Sequence, residues 1–319
     1  VFMREYAAKR IALFFPTVVL ITIIVFVVMR LIPGDPAIAF LEGDSGGEYS
    51  QADLDTLRAQ FGTDKNLFIQ YFDWMGGLLK GDFGDSFWFK APVMGELKER
   101  IPVTIELAVL SIVMAVVVAV PFGIVSALKP DSWLDYAART FTLLGIGIPN
   151  FMVAVLIILL LVRVGGLAPL GYEKPWDAPL TNLHQMVFPA LALAFYEMAF
   201  IARVTRSAMM EILREDYMRT ARSKGLAEQV VVFRHGLKNA ILPILTISGW
   251  QFGRLFGGTV VIETIFLIPG MGRILIEGVF HRDYPLIQAE IVIIGVVIVA
   301  VNLAVDLLYG LLDPRIRYA

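Results

Sequence analysis

The sequence has no cysteine in its 319 residues. The chain therefore forms no disulfide, thiolate zinc site, cysteine-ligated iron–sulfur cluster or cysteine nucleophile. Histidine is scarce: His184, His235 and His281 lie too far apart for metal-ligand spacing and read as ordinary loop or interface residues. The dipeptide Gly-Lys occurs nowhere, so the glycine turn and lysine with which a P-loop holds phosphate are missing. "GIGIPNF", residues 145–151, is not a dinucleotide loop, because it lies inside an apolar run where Pro149 and the glycines would loosen or kink a helix. Charge is thin, at 18% of residues against about 25% in a soluble domain. No internal repeat or low-complexity tract is visible.

What is abundant is apolar surface. Hydrophobic residues make up 57% of the chain and the mean hydropathy is +0.72. A helix needs roughly 20 apolar residues to cross a bilayer core. Six runs qualify: residues 11–29, 103–128, 136–162, 188–204, 240–262 and 289–309. The first has features of a secretory signal, with basic residues before it and Ala37, Ile38 and Ala39 imitating a cleavage site. It is longer than a signal core of about 7–15 residues, and Arg30 and Pro33 intervene, so it is read as a span. The expected fold is an all-α, multi-pass membrane protein with one domain over residues 1–319.

Basic residues orient it. With the N-terminus inside, the short inner segments hold fifteen of the 27 Lys and Arg, eight of them between Arg203 and Lys238 and the last two at Arg315 and Arg317. Inner loops are enriched in Lys and Arg, so both termini are predicted cytoplasmic. Residues 31–102 become an external insertion. There Ser50 can cap a helix that Gly62 ends, with Leu54, Leu57 and Phe61 as its apolar stripe. An aromatic-rich run follows, suited to a membrane–water interface or to docking an external partner.

Three ionisable residues fall well inside spans: Glu106, Glu197 and Arg254. A charge there is costly unless paired or hydrated, so each is either a functional group or a structural pair. Asp306 and Arg203 sit near inner span ends and are expected to reach headgroups. Gly249, Gly253 and Gly257, spaced by four, line one helix face and permit close approach; Arg254 adjoins that face and Trp250 lies one turn earlier. Arg254, Glu197, Trp250 and Asn150 are the candidate residues of a translocation path.

The polar exception is "REDYMRTARSKGL", residues 214–226. Glu215 and Asp216 stand at the positive end of a short helix, Arg219, Arg222 and Lys224 at its negative end, and Gly225 can terminate it. Tyr217, Met218 and Ala221 share one side. A helix this short is marginal alone, so it lies on its own spans or headgroups, or enters a groove on a cytoplasmic partner.

"DYMRTARSKGL" followed by "RHGLKNAILPIL" resembles the EAA loop of ABC-importer permeases. Together with "RLIPGDP", "GDFGDSF", "RIPVTIELAVLS" and "PGMGRILIEGVFHRDYPLIQ", in order along nearly the whole chain, it resembles the dipeptide/oligopeptide/nickel branch. Asp216 and Tyr217 stand where the general pattern has two small residues, and this departure fits the narrower branch. The resemblance implies the MetI-like architecture of type I ABC importers, in a bacterial or archaeal inner membrane, with residues 205–239 as the cytoplasmic coupling loop. It implies as partners a homologous second permease, two ATPases that bind ATP and magnesium, and an external substrate-binding protein, with no cofactor or nucleic acid on this chain. Glu215, Asp216, Tyr217, Ala221, Arg222 and Gly225 would form the ATPase-docking helix, with Tyr217 filling a pocket and Ala221 letting the surfaces approach. The cargo implied is a dipeptide or oligopeptide, with glutathione, a nickel chelate or an oligosaccharide as alternatives. Two readings from other classes stand beside it: an ion-coupled transporter using Glu197 and Arg254, and a membrane scaffold or receptor without transport.

Overall fold

The computed structural model describes residues 2–32, 34–45, 49–165 and 168–312. It is built from helices. The long ones are α1 (Phe2–Leu31), α5 (Val93–Leu128), α8 (Pro179–Ile212), α11 (Lys238–Phe266) and α13 (Tyr284–Leu312). Each contains a run long and apolar enough to span a bilayer. Internal prolines at Pro16, Pro121, Pro189 and Pro243 leave these helices continuous, as neighbouring membrane helices permit.

The run at 136–162 is not one helix. It divides into α6 (Trp133–Gly147) and α7 (Asn150–Gly165), which meet at 103°. Pro149 has no amide hydrogen, and Ile148 before it takes the extended backbone that a residue preceding proline favours, so the expected kink becomes a break.

Helix α8 is central. It packs along most of α5 and also meets α6, α7 and α11, while α1 lies against α13. Close approach of α5 to α8 comes from small residues: Ala115, Ala119 and Gly123, spaced by four, face Ala194 and Ala202 in one buried cluster. A Cβ at Gly123 would stand 2.7 Å from the Ala202 carbonyl oxygen. Without a hydrophobic driving force inside lipid, such small-residue seams hold helices together. The expected stripe on α11 is only partly used. Gly249 is pressed against Val305, whereas nothing lies near a Cβ at Gly257.

At one end of the bundle, α2 (Pro36–Ser45), α3 (Gln51–Phe61) and α4 (Leu67–Leu79) form the insertion, and α5 begins at Val93. Ser50 and Asp53 form a capping box, Gly62 ends α3 at φ 65°, and Leu54 is buried with Leu57 and Phe61 against it. The loop before α5 is tied down by Asp283, which accepts hydrogen bonds from the Ser86 hydroxyl and the Trp88 amide, and by His281 stacked on Trp88. At the opposite end are α9 (Asp216–Ser223), a turn α10 (Glu228–Val230) and a π-helical turn Val231–Leu237. Helix α8 runs to Ile212, so the connecting loop starts later than residue 205. Asp306 pairs with Arg10 at 2.9 Å, joining α13 to α1. Arg315 and Arg317 lie outside the described residues.

Candidate functional sites

Helix α9 starts at Glu215, whose extended backbone makes it the N-cap while its side chain makes no capping bond. Asp216 and Arg219 are solvent-exposed, 3.6 Å apart, a separation at which an exposed pair contributes little. Arg222 holds Glu228 through two hydrogen bonds, at 2.9 and 3.2 Å, and this carboxylate holds the guanidinium pKa above its ordinary value. Gly225 adopts φ 73°, and a Cβ there would touch nothing. Its role is therefore conformational: it turns the chain where an L side chain is disfavoured.

The inner side of α9 is fully used within the chain. Met218 and Ala221 are buried with Val231, and Ile212 and Leu213 pack against them. Ala221 thereby sets the distance between α9 and its own chain. Burying Met218 contributes about 2 kcal/mol. Tyr217 points differently. It is 42% exposed, and its hydroxyl accepts a 2.9 Å bond from Asn239. Gly236 was missed by sequence reasoning, although it lies in the quoted "RHGLKNAILPIL". A Cβ there would crowd Met209 and Met218, so it lets the π-helical turn seat beneath α9. Leu226, Val230 and Phe233, exposed apolar residues that follow α9 in the chain, were missed as well.

The second site lies at the break between α6 and α7. A cavity of about 270 Å³ is lined by Ile148, Pro149, Asn150, Glu197, Arg254 and Gly258, among others. Three of the four path candidates, drawn from three runs distant in sequence, thus share one cavity. Trp250 joins through Arg254, whose guanidinium lies 5.1 Å from the Trp250 ring centroid and 5.4 Å from that of Tyr196. Arg254 donates to the Gln251 carbonyl oxygen at 3.3 Å. Glu197 is 3% exposed, and one carboxyl oxygen has no protein partner. Glu197 and Arg254 form no direct ion pair. The N-terminus of α7, the positive end of its dipole, opens at the same break.

Glu106 stands apart from this cavity and accepts a 2.8 Å bond from Tyr172, whose phenol is pushed up by burial and by that carboxylate. Two buried acids near span ends escaped sequence reasoning. Glu263 accepts from the Thr104 hydroxyl at 2.7 Å and the Arg273 amide at 3.1 Å, tying α5 and α11 to α12 (Met271–Phe280); neither carboxyl oxygen of Glu290 has a protein partner. Asp135 was also missed. It receives Ser126, Arg206, Arg139 and the Asp131 amide, and so joins α5, α6 and α8 near the C-terminal end of α8.

The architecture is that of a multi-pass helical permease. Residues 119–318 match the family described as binding-protein-dependent transport system inner membrane component, and residues 3–108 match the N-terminal part of such membrane components. The chain belongs to this family: it is the membrane permease component of a binding-protein-dependent ABC importer. It is 38% identical over 320 residues to the oligopeptide transport system permease protein AppB of Bacillus subtilis (strain 168), covering 99% of this chain and 100% of that one. It is 37% identical to the dipeptide transport system permease protein DppB of Alkalihalophilus pseudofirmus and to the glutathione transport system permease protein GsiC of Escherichia coli O1:K1 / APEC, again over 99% and 100% of the two chains. The fold is shared with a chain of the MetNI methionine ABC transporter, solved in inward facing conformations, at TM-score 0.57 and 18% identity, over 69% of this chain and 97% of that one.

Proposed function

We propose that this permease imports short peptides, and that a partner ATPase drives it through α9. Two homologous permeases would face each other, two cytoplasmic ATPases would take the exposed side of α9 from Glu215 to Gly225 together with Leu226, Val230 and Phe233, and an external binding protein would deliver the peptide. Both termini would be cytoplasmic, and ATP and magnesium would be held by the partner subunits. Closure of the ATPases would draw two α9 helices together and move the bundles between their two facings. A helix already packed on its own chain suits this role, because a push on its outer face is passed to α8 and α11.

The peptide reading rests on the cavity at the α6–α7 break. Arg254 and the N-terminus of α7 supply positive potential for a carboxylate, and the unpartnered oxygen of Glu197 supplies an acceptor for an ammonium group. A peptide carries both at its two ends. Relatives named for oligopeptide, dipeptide and glutathione transport agree with this class, and the two carboxylates of glutathione keep it as a second reading.

The test is reconstitution of the complete complex in proteoliposomes. ATP-dependent uptake of a labelled dipeptide is expected, with loss on omission of the ATPases or the binding protein. Uptake driven by an ion gradient with this chain alone would overturn the reading.

A further inference from the structure

Beyond the transport path, a large cavity lies at the other end of the molecule. It is a groove of about 800 Å³ between the last turns of α1 and the aromatic helix α4. Its walls are apolar: Ile23 and Val27 from α1, Phe68 and Phe72 from α4. These side chains are exposed, the two phenylalanines by 77% and 66%. At its head sits a cation. Arg30 stacks on Phe26 at 4.8 Å and donates from Nε to the Gln70 carbonyl oxygen at 2.9 Å. Gln70 is held in turn by the Thr63 and Lys65 carbonyls, so it aims Arg30 and leaves its charge unneutralised. Among the described residues no carboxylate pairs with Arg30. The other arginine of the groove, Arg58, is already paired with Asp35 at 2.6 Å.

A half-buried guanidinium at the end of a membrane helix needs a counter-anion. An apolar groove ending in that cation fits an amphipath with an anionic head. We propose that the groove holds one phospholipid, its phosphate on Arg30 and one acyl chain along Ile23, Val27, Phe68 and Phe72. Arginine matches phosphate geometry with paired N–H donors, and four of its five remain uncommitted here. The lipid would then bridge α1 to the insertion, so the external cap would sense the membrane around it.

Native mass spectrometry of the purified, delipidated complex tests this, with dioleoylphosphatidylglycerol as the probe. One tightly held lipid per copy of this chain is expected, and Arg30→Gln should lower its retention about tenfold. Val27→Trp, which fills the apolar half and leaves the charge, should do the same. Dioleoylglycerol, with the same chains and no phosphate, should not be retained. Unchanged retention in both variants overturns the proposal, as does equal retention of dioleoylglycerol or a cross-link placing another subunit in the groove.

Discussion

The C-terminal end of α8 and its middle are built in opposite ways. Around α9 the contacts are closed: Met218 and Ala221 are buried, Arg222 holds Glu228, and one carboxylate, Asp135, gathers donors from three helices. At the α6–α7 break, Glu197 keeps an oxygen without a protein partner and Arg254 offers its charge to a cavity. The closed contacts suit the proposed joint, and a buried, unmatched acid, which costs stability, suits the proposed path.

Substitutions at four positions can break or sharpen that contrast. Gly225→Val forces a β-branched residue into φ 73° and should abolish coupled transport, a loss of at least about tenfold, without reducing the protein inserted in the membrane. Gly225→Asn, which tolerates that region, should keep most activity. Wild-type stimulated ATPase and uptake in the valine variant would remove α9 from the coupling path. Arg254→Ala comes next, with about tenfold lower kcat/KM for free peptides, about 1.4 kcal/mol of transition-state binding, and no further loss for C-amidated ones. Unchanged rate and selectivity would take Arg254 off the path. Met218→Ala should leave a cavity under α9 and weaken its packing by roughly 2–4 kcal/mol, seen as faster hydrogen exchange at residues 216–223. Tyr217→Phe loses a single half-exposed bond from Asn239 and should cost only about 0.5–1 kcal/mol by the same measurement. A larger effect of Tyr217→Phe on ATPase coupling than on exchange would place its hydroxyl at the partner surface.

Much of this was legible in the chain. Run length and hydropathy located the spans, and the capping pattern at Ser50 and Gly62 located α3 to the residue, because these are local effects of backbone hydrogen bonding. The polarity of residues 214–226 located α9. What failed were contacts between elements. Ala221 has the same composition whether it faces its own chain or a partner, and only the fold turns it inward. The stripe at Gly249, Gly253 and Gly257 was visible, yet the seam at Ala115, Ala119 and Gly123 has the same spacing and was passed over.

The sequence by itself determined that this is a membrane protein, which of its runs are long and apolar enough to span, and that the polar helix between α8 and α11 is punctuated by Gly225. Those follow from transfer energy and local sterics, which each segment carries with it. Only the tertiary structure decided that the apolar run at Pro149 bends by 103°, that the break brings Asn150, Glu197 and Arg254 around one cavity, and that Asp135 fastens three helices near the end of α8. Those depend on distances between residues far apart in sequence, which hydropathy does not encode.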